Sequence, residues 1–205
     1  MQGGGAADWL ALFVMWAVMM IVMMLPSAAP VIRTVLLDYR RRGGPQARAK
    51  AGLFGAGYLI AWTGFSALAA TAQVALRRAA LLNAEMTSRS VALTGTILVV
   101  AGAYQWLPVK KACLSHCRSP LDFLMRHWRA GKRGAFAMGL SHGLFCVGCC
   151  GALMALLFVV GVMNFLWIAA LAAFVLIEKR VPRSVPLGRI AGVLLIVWGT
   201  YEVLA

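Results

Sequence analysis

The chain has 205 residues, 62% of them apolar and 13% charged, with a mean hydropathy of +0.82 and a formal net charge of +14. That apolar share excludes an ordinary soluble domain and predicts a polytopic membrane protein. The positive charge does not signal nucleic-acid binding, because the 20 Lys and Arg residues fall in stretches between apolar runs, where topology signals belong.

The first apolar run, 9–32, is preceded by Asp8 and by no Lys or Arg. A cleaved leader needs a basic start, so this run reads as a retained helix. The basic stretch 33–51 follows. The second run, 52–76, leads to a short connection with Arg77, Arg78, Glu85 and Arg89, and the third, 90–107, stops at Pro108. The longest connection, 108–134, carries seven basic residues. The fourth run is 135–160. A tight turn from Gly161 to Asn164 gives the fifth, 164–178, and after the basic stretch 179–189 the sixth, 190–204, completes the chain. The expected fold is all-α, a single polytopic domain over residues 1–205 with about six transmembrane helices in one bundle.

Charge sets the expected orientation. With the N-terminus outside, the stretches 33–51, 108–134 and 179–189 lie inside and hold 17 of the 20 Lys and Arg, against three in the outer loops. No internal repeat is visible, which argues against the repeat-built secondary transporters.

The stretch Ser141 to Cys150 holds three of the five cysteines and one of the three histidines. At about 100° per residue with His142 at zero, Cys146 falls near about 40°, Cys149 near about −20°, Cys150 near about 80° and Met138 near about −40°. Five soft or borderline donors thus share about a third of one helix surface. Thiolate, imidazole and thioether together select Cu(I), and without the methionine Zn. A lone buried Cys is most often a small apolar filler, but four such side chains on one face point to a metal site. Gly139 and Gly143 flank that face, so a neighbouring helix can approach closely and add a donor.

The first run is rich in methionine, with Met15, Met19, Met20, Met23 and Met24 among the protein's eleven. Thioethers at helical spacing commonly serve packing. Here the first and fourth runs have matching midpoints, which puts Met23 and Met24 within reach of a Cys or His of the other helix. Pro26 follows the pair and can kink the helix. A second donor cluster opens the longest connection. If that turn is helical, Cys113, His116 and Cys117 share one face, with nearby Lys and Arg to favour thiolate. His127 stands apart as an interfacial residue. Cys146 lies about 16 Å into the fourth run at 1.5 Å per residue, so metal passing from one cluster to the other is expected to need a relay through Met138, His142 and Met24.

Other chemistry has little to rest on. There is no Ser-His-Asp set, no Gly-rich phosphate loop and no pair of carboxylates, so a non-enzymatic role is expected. Gln73, Tyr104 and Gln105 read as interhelical hydrogen-bonding groups, and Glu178 and Glu202 as span-end residues with access to water.

Along nearly its whole length the chain resembles a bacterial family of predicted metal-binding integral membrane proteins. The resemblance is carried by Met23-Met24-Leu25-Pro26-Ser27 with Pro30, and by Trp62, Phe65-Ser66 and Gln73. It continues through Ala101-Gly102-Ala103-Tyr104-Gln105 with Pro108 and Lys110, and through Cys113 to Cys117 with the following Arg118-Ser119-Pro120-Leu121. It ends with Gly139 to Cys150, Met154, Gly161-Val162-Met163-Asn164 and Glu178-Lys179. Members of that family often carry an aromatic residue where this chain has Gly151. The resemblance implies metal binding and a place in the bacterial inner membrane, which with the charge bias puts both termini in the periplasm.

The function expected from all this is Cu(I) handling, by delivery, storage or transport. His142, Cys146, Cys149 and Cys150 are the expected ligands, with Met23, Met24 or Met138 completing the shell and Cys113, His116 and Cys117 at the cytoplasmic surface. Zn is the competing metal. Beyond the lipid bilayer, the partners expected are a cytosolic metal chaperone or a membrane metalloenzyme client. The alternatives are a thiol-disulfide oxidoreductase using Cys146 and Cys149, and an assembly factor with a structural Zn.

Overall fold

The computed structural model describes residues 5–42, 46–82, 88–162, 164–181 and 187–204. Glu85, Met163 and Arg183, assigned above to connections, lie outside the described residues. Among the described residues the chain forms nine helices: α1 Ala6–Arg41, α2 Ala47–Arg78, α3 Val91–Tyr104, α4 Pro108–Arg118, α5 Pro120–His127, α6 Gly131–Met154, α7 Leu157–Val160, α8 Phe165–Arg180 and α9 Leu187–Leu204.

Local sequence accounts for several boundaries. The Ser90 hydroxyl accepts the Leu93 N–H at 3.3 Å and caps α3. Asn164 does the same for α8, accepting from Leu166 and Trp167 at 3.2 and 3.4 Å. Gly161, at φ 88°, makes the turn between α7 and α8 that a side chain would resist. Pro108 opens α4, where its missing N–H costs no helical hydrogen bond. Pro26 and Pro30 lie inside α1 without ending it.

Four helical stretches are long and apolar enough to cross a membrane: Ala6–Arg41, Ala47–Arg78, Gly131–Val160 and Leu187–Leu204. A fifth arises if α3 and α4, bent by 64° at their junction, form one broken span. Of the six expected spans, the third and the fifth are short, α3 having 14 residues. Helix α8 has 16 residues, about 24 Å against a hydrocarbon thickness of about 30 Å. Helices α1 and α2 are the opposite case. Their 36 and 32 residues reach about 54 and 48 Å, far more than a span requires.

Helix α2 packs along both α1 and α6, α3 pairs with α9, and α4 lies on α6. Small residues permit the closest crossings. A Cβ on Gly139 of α6 would collide with the Phe54 carbonyl of α2. The α3–α9 pair meets at Gly95 and Gly199, where an added Cβ on either would come within 2.9 Å of the other's carbonyl oxygen.

Two expectations change here. The stretch 108–134 is no open loop, for it folds as α4 against α6 and α5 against α1 and α4. Glu178 is not at a watery span end: it is 3% exposed. Its carboxylate accepts from Lys110 Nζ at 2.6 Å, and the same ammonium donates to the Gln105 side-chain oxygen. A buried cation without such partners would be too costly to keep. The pair therefore ties α4 to α8.

Candidate metal centre

The bend after α3 sends α4 back along α6 and brings a cysteine from each helix to one point. The sulfurs of Cys117, Cys146 and Cys149 all lie within 4.8 Å of one another, and all three residues are buried. Cys117 and Cys149 are 3.8 Å apart, sulfur to sulfur. Three sulfurs around one ion at a metal–sulfur distance of about 2.3 Å stand about 4.0 Å apart, so the trio needs little contraction to close on a metal. All five cysteines are free thiols.

Cys146 is the most heavily contacted of the three. Lys179 Nζ donates to its sulfur at 3.0 Å and to the Ser27 hydroxyl at 2.9 Å. The Tyr58 hydroxyl is 3.1 Å from the same sulfur and donates to the Met24 carbonyl at 3.2 Å. A thiolate in apolar surroundings is costly unless a cation accompanies it, and Lys179 supplies one there. Tyr58 is the donor that the close approach at Gly139 and Gly143 delivers, since a Cβ on Gly143 would lie 2.9 Å from the Tyr58 carbonyl.

The remaining expected ligands are placed differently. Cys150 points its sulfur at Met24 Sδ, 3.9 Å away, and at the Cys146 carbonyl, 2.9 Å away. That contact realises the matching depth of α1 and α6, with Met23 buried beside it in the same core. Cys113 faces Gly148, where an added Cβ would come within 2.8 Å of its sulfur. Met138 accepts the Arg129 N–H at 3.3 Å. His142 sits among rings, with Phe123 at 4.9 Å and Phe54 at 5.9 Å between centroids, and its Nδ1 has no hydrogen-bond partner. His116 stacks on Phe145 at 4.2 Å and meets His127 edge-on at 5.5 Å. His127 also stacks on Phe123, so all three histidines border one aromatic cluster, and none is a member of the thiol trio.

The expected relay is overturned with them. Cys117 touches Cys149 directly, and no gap of 16 Å separates the two clusters. Sequence reasoning passed over Tyr58 and gave Ser27 and Lys179 no place at the site, although both stand in the stretches that carry the family resemblance. Tyr104 and Gln73 behave as expected: the Tyr104 hydroxyl donates to the Gly148 carbonyl at 2.5 Å, and Trp16 donates to Gln73 at 2.6 Å. At Gly151 the Phe65 ring of α2 comes 3.4 Å from where a Cβ would stand.

An all-helical chain with several span-length apolar helices and three buried thiols on one point defines a class, that of soft-metal-binding helical proteins. Residues 13–201 match the PpoB2 copper chaperone family, and the chain belongs to it. No curated protein and no solved structure matches it.

Proposed function

We propose that the protein is a membrane-embedded Cu(I) chaperone that takes the ion on Cys117, Cys146 and Cys149 and passes it to a client. The observation that carries this reading is the convergence of three thiols, from two helices, within 4.8 Å. Family membership supports copper as the metal. The donor set is consistent with it, since soft thiolate ligands take Cu(I) as well as Zn. A closed Zn site wants four protein ligands, and among the described residues this group offers three from His, Cys and carboxylates. The oxidoreductase alternative draws on the 3.8 Å approach of Cys117 to Cys149, which replaces Cys146–Cys149 as the pair to watch.

The charge bias supports insertion in the bacterial inner membrane with both termini outside. Helices α1 and α2 exceed the hydrocarbon thickness, and their basic ends, Arg33 to Arg42 and Arg48 to Lys50, then stand out on the cytoplasmic side. Helix α8 ends at Lys179-Arg180 and α9 begins near Arg189, which marks the boundary. The trio, in contact with Lys179, would lie at that boundary and not at mid-membrane, within reach of a cytosolic donor and of a membrane metalloenzyme client. A reporter fused after residue 125 is expected to read as cytoplasmic, and a periplasmic readout would overturn this orientation.

Metal analysis of the purified protein tests the function. One Cu(I) per chain is expected, with all five thiols titrating as reduced after the metal is removed. Loading should release protons, because thiols must ionise to bind. A metal-free protein with a Cys117–Cys149 disulfide would replace this reading by the redox one.

A further inference from the structure

Beside the trio lies a cavity of about 190 Å³, open on one side and lined among others by Ser27, Pro30, Cys117, Arg118, Lys179 and Arg180. Three of those side chains are cationic, and no carboxylate lines the cavity. Of the acids next to lining residues, Glu178 has its carboxylate engaged by Lys110 and Asp122 pairs with Arg126. The Glu178 backbone carbonyl accepts from Arg118 Nε and Nη2 at 2.9 and 2.6 Å, which fixes that guanidinium in place without neutralising it. Arg180 is exposed, so the positive field reaches the opening. Cys117 also lines the cavity, and its sulfur is 3.8 Å from that of Cys149. A cationic cleft with low-dielectric walls concentrates anions. A bare Cu(I) cation would be repelled.

From this arrangement we infer that copper arrives as an anionic Cu(I) complex of a small thiol that carries a carboxylate, and that Arg118, Lys179 and Arg180 form the vestibule that selects it. The inference rests on the chaperone reading and names its substrate. In the transfer, the Cys117 sulfur forms a bond to copper as one donor-thiol–copper bond breaks, and the Cys117 proton goes to the departing thiolate. Cys149 displaces the second donor thiol in the same way. Cys146 then adds the third sulfur and loses its proton to solvent. Copper remains Cu(I) throughout, and with each carboxylate kept on its departing thiol a donor complex of charge −3 gives a site of charge −2, two free thiols of charge −1 each and one proton.

The test is the loading rate of the full chain in phosphatidylcholine nanodiscs, from Cu(I) carried by mercaptopropionate, mercaptoethanol or mercaptoethylamine. These carriers are similar in size and differ in charge. At low salt the anionic carrier should load about tenfold or more faster than the cationic one, and the advantage should shrink at high salt. Arg180→Gln should reduce the preference and Arg180→Lys restore it, both with unchanged final occupancy. Anionic lipid itself repels an anionic carrier, so with phosphatidylglycerol in the nanodiscs the readout is the parent's preference relative to that of Arg180→Gln, and this difference should persist. Loss of the difference would mean that a lipid headgroup fills the vestibule, and would overturn the assignment. Equal rates for the three carriers with full final occupancy would also refute the vestibule while leaving the chaperone reading intact. Failure to bind copper from any carrier would remove both.

Discussion

Replacing Cys117 by Ser is expected to weaken Cu(I) binding by about a hundredfold or more, while Cys113→Ser leaves it within a few-fold. Loss of outer-shell partners alone costs about 10–100-fold in metal sites, and Cys117 supplies one of three sulfurs directly. Cys113 is four residues away on the same helix, but its sulfur faces Gly148 and takes no place in the trio. Competition against a Cu(I) chelator of known affinity, on protein in detergent, gives both numbers. The helices should be unaffected, since a Ser hydroxyl is no larger than the thiol it replaces. If Cys113→Ser proved as damaging as Cys117→Ser, the two cysteines would be acting as one surface pair and the convergence on α6 would not be the binding site.

That contrast also shows where the sequence was readable. Periodicity placed the cysteines of α6 on one face and put Met24 at the same depth, and Met24 does meet Cys150. Angle alone did not divide that face between neighbours. Cys149 and Cys150 stand about 100° apart, enough for the first to face α4 and the second α1. His142 lies at an angle between those two, yet about two turns earlier, where α2 and α5 present Phe54 and Phe123 instead of donors. What no periodicity carries is the 64° bend between α3 and α4. Pro108 marks where α3 must stop, but the direction taken afterwards is set by tertiary contacts, among them the Lys110–Glu178 pair. A 16 Å gap therefore looked necessary where the fold leaves 3.8 Å between sulfurs. Lys179 was equally hidden: read as a loop charge, it becomes a ligand-side cation only once α8 is seen to end beside Cys146.

The bend itself is testable through Glu178. Lys110 and Glu178 are 2% and 3% exposed, so Glu178→Gln leaves an ammonium in a buried site with neutral amide oxygens and no carboxylate to receive it. Removing one partner of a buried ion pair costs about 3–5 kcal/mol, whereas replacing both by apolar groups of similar volume is often neutral or better. Glu178→Gln should accordingly unfold at clearly lower denaturant in mixed micelles, and Lys110→Met/Glu178→Leu should recover most of the loss. Copper should follow stability. Lys110 lies two turns before Cys117 on α4, and Glu178 directly precedes Lys179 on α8, so the pair holds the third sulfur and the cation at Cys146 in one register. The single variant should therefore bind Cu(I) more weakly and the double variant nearly as tightly as the parent. A double variant that regained stability but not affinity would show that the charges act on the metal directly. A single variant as stable as the parent would show that the pair does not anchor α4 at all.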